Sequence, residues 1–504
     1  MEKPPNENSP HFYEKMLSCN SPSLSYNLIG IHMQKIKKIF SALLIGVICL
    51  TTIHLHAKDS SPTSSPIICS SLLGKQWVEK CIEKYPEILW LADENVRKTE
   101  EGNASSQDSY STQLFDQKYV EFDRTLMTIE CLKLILEGSP SSYQKFTAAQ
   151  PKDMTLSPES FQTLHAQGQQ LLQSNWKGLS KNQIAEAMET ALVLGDIGKS
   201  AQARKLFKPY GIEAPDHDDF HGEIMLILEK QPELSPSFAR LSLPAKQLLV
   251  KTANLAHYGH ITHLEGATDM FRGLCQSTLP YNDPIALSFD LFIHTCDVAG
   301  ALGHVNPQSS LVYTEPTHRA MQTMNKAVQL LSNPHKTEWD AYQAYLTTRA
   351  TWLGLDPHNP EDRVLTRIGA MLRLFTPQEG TTLRQALMAL DESSRNRIIA
   401  ELDVKKEFPL TRTPTYIPAL LINLSNNSQL GNSKEERLSQ AITLGLPFIS
   451  RVLKSHKDLV DSQQISADIP LNFNEMAGIA KTSPELLTQD FSIDKEGDVH
   501  PACK

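Results

Sequence analysis

The sequence predicts an all-α protein, and three observations carry that expectation. Beyond an N-terminal linker, apolar residues recur at three- and four-residue spacing almost throughout the chain. No run of alternating β-branched residues competes with that period. Of the 504 residues 40% are hydrophobic but only 7% aromatic, without the valine, isoleucine and tyrosine density of an all-β chain. No fixed-period repeat is present, so a solenoid is not indicated. The length suffices for two or three domains with ample core. A net charge of -9 with no long Lys/Arg run argues against a nucleic-acid backbone as the main partner and leaves acidic sites open to a cation.

At the N-terminus, "MQKIKKIFSALLIGVICLTTIHLHAKDSSPTSS" begins at Met33, with lysines at 35, 37 and 38 and an apolar run over residues 39–53. That is the architecture of a secretory signal peptide, and the expected cleavage follows Ala57. The run is shorter than the ~20 residues a membrane-spanning helix prefers, so cleavage is favoured over a permanent anchor. Either Met33 is the true start or residues 1–32 extend the basic region. Export to the periplasm or beyond would remove Cys19 and Cys49, leaving Cys69, Cys81, Cys131, Cys275, Cys296 and Cys503. None forms a C-x-x-C pair, so a structural zinc knuckle has no support. Disulfides, with Cys69 and Cys81 the nearest pair, and buried thiols are equally open.

A helical region is expected over residues 58–150, including "GKQWVEKCIEKYPEILWLADENV" and "QKYVEFDRTLMTIECLKLILEG". The next segment, 151–330, holds the polar chemistry. Ser180 and Gln183 form a capping box, and Ile184, Met188, Ala191 and Leu192 make one apolar stripe, so "NQIAEAMETALVLGD" is a helix on a core. Asp196 ends it, where the helix dipole disfavours negative charge, and therefore needs a cation partner. Asp283-Pro284 opens a second helix, "IALSFDLFIHTCDVAGALGH", apolar nearly all round. Its polar interruptions, Asp290, His294 and Asp297, stack on one face. Burying such carboxylates costs about several kcal/mol unless a charge, a metal or an internal Asp–His hydrogen bond meets them.

Histidines fill the interval. "PDHDDFHGEIMLILEK" puts His217 and His221 one turn apart, beside acidic residues that suit a helix N-terminus, and "LAHYGHITHLEG" brings His257, His260, His263 and Glu265. Imidazole and carboxylate together suit a divalent ion such as Mn, Fe, Co, Ni or Zn.

The order of these residues resembles the HD-domain superfamily of metal-dependent phosphohydrolases. The family pattern is a histidine, a His-Asp doublet often continuing as H-D-I-G-K, further histidines and a final aspartate on a buried helix. Here His165 in "FQTLHAQGQ" precedes "GDIGKS", then His217 or His221 and "HITH" follow, and "IHTCDVAGAL" is similar to the terminal helix. The resemblance implies an HD-like core over 151–330 with added helices on both sides. It also implies a metal set drawn from His165, Asp196, His217, His221, His260, His263, His294 and Asp297. Asp196 and Lys199 would be catalytic, the lysine holding a phosphate, and the substrate would be a phosphorylated small molecule. One departure stands out: Gly195 occupies the place of the doublet's histidine and supplies no ligand. Two functions therefore remain open, an exported phosphohydrolase and a helical binding or scaffold protein that keeps the fold without the chemistry. Helical patterning continues over 331–488, and 489–504 reads as a disordered polar tail.

Overall fold

Helix starts along the chain coincide with side chains that offer an oxygen to the free amides of a first turn. In the computed structural model, which describes residues 66–67, 74–92, 108–212, 214, 217–405 and 413–502, Ser157, Ser180, Asp283, Asn359, Asp391 and Ser433 all serve in this way. The expected leader over 1–57, the start at Met33, Cys69 and Cys503 lie outside those residues. The four described cysteines, Cys81, Cys131, Cys275 and Cys296, are free thiols, and all but Cys275 are buried.

The fold is all-α in its body. Helix α1 (Gly74–Lys84) stops short of Pro86, and the chain continues as a 3-10 turn over Pro86–Leu91 instead of one long helix. Helix α2 (Val120–Glu137) is buried on nearly every side. Gly138 ends it at φ +63, and a Cβ there would stand 2.2 Å from the His165 ring. Glycine is thus required twice over, for the left-handed turn and for the imidazole that packs on it. Helices α3 (Pro158–Leu172), α4 (Lys181–Gly195), α5 (His217–Lys230) and α6 (Leu243–Thr252) follow. After the short α7 (Tyr258–His263) comes α8 (Pro284–Gly300), which packs along α2 and also touches α3, α4 and α6. The expected capping box at Ser180 is present, with both hydrogen bonds formed.

Helices α9 (Glu315–Gln329) and α10 (Glu338–Leu353) lead out of this bundle. Helices α11 (Pro360–Met371), α12 (Pro377–Met388), α13 (Glu392–Leu402), α14 (Ile417–Asn426), α15 (Lys434–Asp461) and α16 (Asn474–Thr482) complete the body. The apolar pattern over 382–402 is two helices, because Asp391 caps the second. Helix α15 runs through Pro447 without ending.

Buried apolar side chains gather in two cores. One extends from Ile67 to Leu346, takes in Ala370 and Val404 as well, and includes the faces of α2, α4 and α8. The other begins at Ala350 and ends at Val499. Helix α10 enters both: Tyr342, Tyr345 and Leu346 lie in the first, Ala350 and Leu353 in the second. Arg367, 2% exposed, donates to the carbonyls of Leu264, Glu265 and Gly266 and to that of Leu402. It thereby ties the loop after α7 to the second group of helices.

The expected disordered tail is corrected. Residues Phe491–Ile493 (β1) and Val499–Pro501 (β2) pair antiparallel. Val499 is fully buried and Phe491 meets Phe448 edge-on at 5.7 Å, so a few apolar side chains anchor a segment that is mostly polar. Among the described residues no helix is long and apolar enough to cross a membrane.

Candidate functional site

Helix α8 carries the site. Asp283 accepts from the Ala286 amide and Pro284 stands at the first turn, which fixes where the helix begins and so which residues share a face. Asp290, His294 and Asp297 all face a cleft of about 360 Å³. The end of α4 supplies the opposing wall through Gly195, Asp196 and Lys199, and the first turns of α5 add His217 and His221. Arg124 of α2, with His257 and Tyr258 at the start of α7, completes the polar lining. The approach of α5 depends on Gly198. A Cβ there would lie 2.4 Å from the carbonyl oxygen of His217, so only glycine lets α5 close on the turn that follows Asp196.

The charges in the cleft are unequal. Burial alone would raise the Asp196 carboxyl, but Lys199, together with Arg124 and His217, outweighs it and holds the group well below the usual carboxylate range. The Lys199 ammonium lies 2.8 Å from Asp196 and 3.3 Å from Glu121, and Arg124 lies 3.1 Å from Glu121. The cation that Asp196 requires is therefore supplied within the chain. Burial opposes the charge on Lys199, yet Asp196 and Glu121 raise its pKa above the ordinary value. Asp297 is different: burial, and then the Asp196 charge, push its carboxyl up to about 7. Burial does the same to Asp290, up to about 7, even though the Tyr258 hydroxyl donates to it at 2.7 Å. One fixed anion thus faces two carboxyls that hold protons near neutrality.

Not every candidate reaches this cleft. His165 is turned to the end of α2, where its Nδ1 lies 2.9 Å from the Ile135 carbonyl. His260 pairs with Glu265 at 2.6 Å. His263 is drawn to the Ala370 carbonyl at 3.4 Å, and burial holds its pKa well below the ordinary value. These three are not among the residues that line the cleft, each ring being directed to another acceptor, although His260 lies against His257 with ring centroids 3.8 Å apart. His257, from the same histidine-rich stretch, faces the cleft instead. The sequence reading missed Arg124, Glu121 and Tyr258. A signal existed for the first two, since Glu121 and Arg124 stand one turn apart and can pair on one face of the helix.

The cleft offers the donor types of a first-row divalent ion, imidazole nitrogen and carboxylate oxygen. Its donors surround an open space and are not drawn together. Among the described residues, three such atoms mutually within 4.8 Å occur only in Asp494, Asp498 and His500, at the C-terminal hairpin. There, however, both His500 nitrogens are taken, Nδ1 by Glu475 at 2.6 Å and Nε2 by Asp494 at 2.9 Å.

Fold and cleft together define a predominantly α-helical protein with an acidic, imidazole-lined site at the junction of α2, α4, α5 and α8. The chain belongs to DUF6829, a family of unknown function, whose model matches residues 85–476. No curated protein and no solved structure matches it.

Proposed function

We propose that this chain is an exported, HD-domain-like phosphohydrolase that uses a divalent ion, Mn, Fe, Co, Ni or Zn, to cleave a phosphoester of a small molecule. The observation that carries this reading is the convergence of Asp196 and Asp297, far apart in sequence, on one cleft with His217, His221 and His294. Those five side chains are the donors that would draw in around the ion, since they stand apart as placed. When bound, it supplies Lewis acidity and a water of lowered pKa. The chain's own residues do the rest. Arg124 and Lys199 bring positive charge to the wall against which phosphate oxygens would rest. Asp290, largely protonated below about 7, keeps a transferable proton beside the site, and Tyr258 fixes its orientation. The leader-like pattern over 33–57 supports export.

A second reading has its own support. The Lys199 pairs with Asp196 and Glu121 satisfy the fixed anions without an ion, and Gly195 contributes no ligand. On that reading the molecule is a binding or scaffold protein with an HD-like core. Metal content separates the two. The purified chain, incubated with Mn(II), Fe(II) or Zn(II) and then desalted, is expected to retain metal by mass spectrometry and to hydrolyse p-nitrophenyl phosphate or its bis-ester. Asp297→Ala is expected to lose both while its helical circular dichroism persists. A wild-type chain that retains no ion and hydrolyses neither ester is the scaffold.

A further inference from the structure

Helix α8 has a second polar face. Ser288, Phe292 and Thr295 lie on the side opposite Asp290, His294 and Asp297, because residues two apart on a helix point roughly 200° from each other. That reverse face closes another cavity, of about 450 Å³, against α3 and α9. The size falls within the range of roughly 300–1,000 Å³ typical of small-molecule sites.

We infer that this second cavity binds an uncharged, hydroxyl-rich molecule of about monosaccharide size. None of the described residues that line it carries a charge, so an ionic ligand would lose hydration without a counter-charge. The lining is instead rich in carboxamides, those of Gln170, Gln173, Gln329 and Asn325, while Gln167 is engaged with Gln322 at 2.9 Å. A carboxamide both donates and accepts, and so does a hydroxyl, so the two pair in either sense. Asn325 is the pointer to a ligand. It is 8% exposed, it lines the cavity, and its Oδ1 meets no hydrogen-bond donor of the protein. Such an oxygen costs free energy, and since it is shielded from the cavity as it stands, a turn of the carboxamide toward the cavity is what would bring it to a ligand O–H or N–H. Leu171, Leu291 and Phe292 supply the apolar patch on which the C–H face of a sugar ring rests. The hydroxyl of Ser288 donates to the carbonyl of Pro284, which leaves its oxygen as an acceptor, whereas Thr295 is buried and engaged by Leu291 and Tyr313.

The test uses the full chain without added metal or phosphoester, so its outcome is independent of the proposed reaction. Saturation-transfer NMR and calorimetry would be run with D-glucose, D-galactose, D-ribose, N-acetyl-D-glucosamine and myo-inositol. D-Glucuronate and D-glucosamine are the charged comparators. At least one neutral probe is expected to bind with a dissociation constant at or below about 1 mM, and the charged probes at least about tenfold more weakly. Ser288→Tyr, which fills the cavity from its half-buried rim, and Asn325→Leu are each expected to weaken binding by about tenfold or more. Should Asn325→Leu fail to fold, Ser288→Tyr carries the test alone. Absence of binding by every neutral probe, equal binding of the charged ones, or binding that survives the substitution would overturn the inference.

Discussion

Gly195 concentrates the question of chemistry in one residue. It lines the cleft, and nothing stands within 4 Å of the point its Cβ would occupy. A Cβ is therefore accommodated there without displacing a neighbour, and Gly195→His recreates the His-Asp doublet that the HD-domain resemblance implies. If an ion binds between Asp196 and Asp297, this variant should hold Mn(II) at least about tenfold more tightly in a chelator competition; equal affinity would count against the metal site. Lys199 gives the complementary measurement. Lys199→Met leaves Asp196 and Glu121 facing each other without their shared cation, at an expected cost of about 1–3 kcal/mol in urea unfolding. On the metal reading, Mn(II) restores most of that loss; on the scaffold reading it restores none. The fate of the histidines shows what spacing reveals and what it hides. Asp290, His294 and Asp297 were legible as one face because a helix fixes their angular relation. His165, His260 and His263 were not, because an imidazole turns to whichever acceptor packs nearby: Ile135 and Ala370 belong to neighbours whose approach only tertiary structure sets, and Glu265, although local, meets His260 only through the turn that ends α7.

Among the elements, helices were the most legible and their interruptions the least. The capping box at Ser180 and the Asp283-Pro284 start follow from local chemistry that needs no tertiary context. The break before Pro86 and the split at Asp391 were also written in the sequence, but a continuous apolar period masks a single proline or cap. The C-terminal hairpin was illegible for the opposite reason. It is held by few apolar contacts and by one imidazole, His500, between Asp494 and Glu475. Hydrogen bonds to Asp494 and then Glu475 raise the His500 pKa above its ordinary value, and its contribution is accordingly complete below the unfolded pKa of about 6.5. That contribution is lost as pH rises through the higher folded value. Asp494, lowered by His500 and neighbouring amides against the effect of burial, contributes above its unfolded pKa of about 3.9 and loses that as pH falls. The clasp is partly exposed, which limits its worth to about 1 kcal/mol. Amides of 491–501, corrected for intrinsic rate, should exchange faster at about pH 8.5 than at about pH 5.5. His500→Phe should abolish the difference; a difference that persists would assign it to another group.

For the molecule as a whole, the all-α body was the firmest expectation, since one period repeated through hundreds of residues outweighs any local ambiguity. Separate regions over 151–330 and 331–488 were expected, but which buried faces meet in each core was not, because apolar period marks buried faces without telling which of them pair. That division bears on how the protein comes apart. Two cores that share helices α10 and α11 and are tied by Arg367 are not obliged to melt together, so a single all-or-none unfolding free energy need not describe this chain. Scanning calorimetry should resolve two overlapping endotherms, and Arg367→Met should separate them further by releasing the carbonyls it gathers from both sides. Because the cleft lies wholly in the first core, a bound divalent ion stabilises by mass action only the endotherm of that core. The second endotherm then serves as an internal reference within the same scan, against which a ligand of the cleft can be distinguished from a salt that steadies the whole chain.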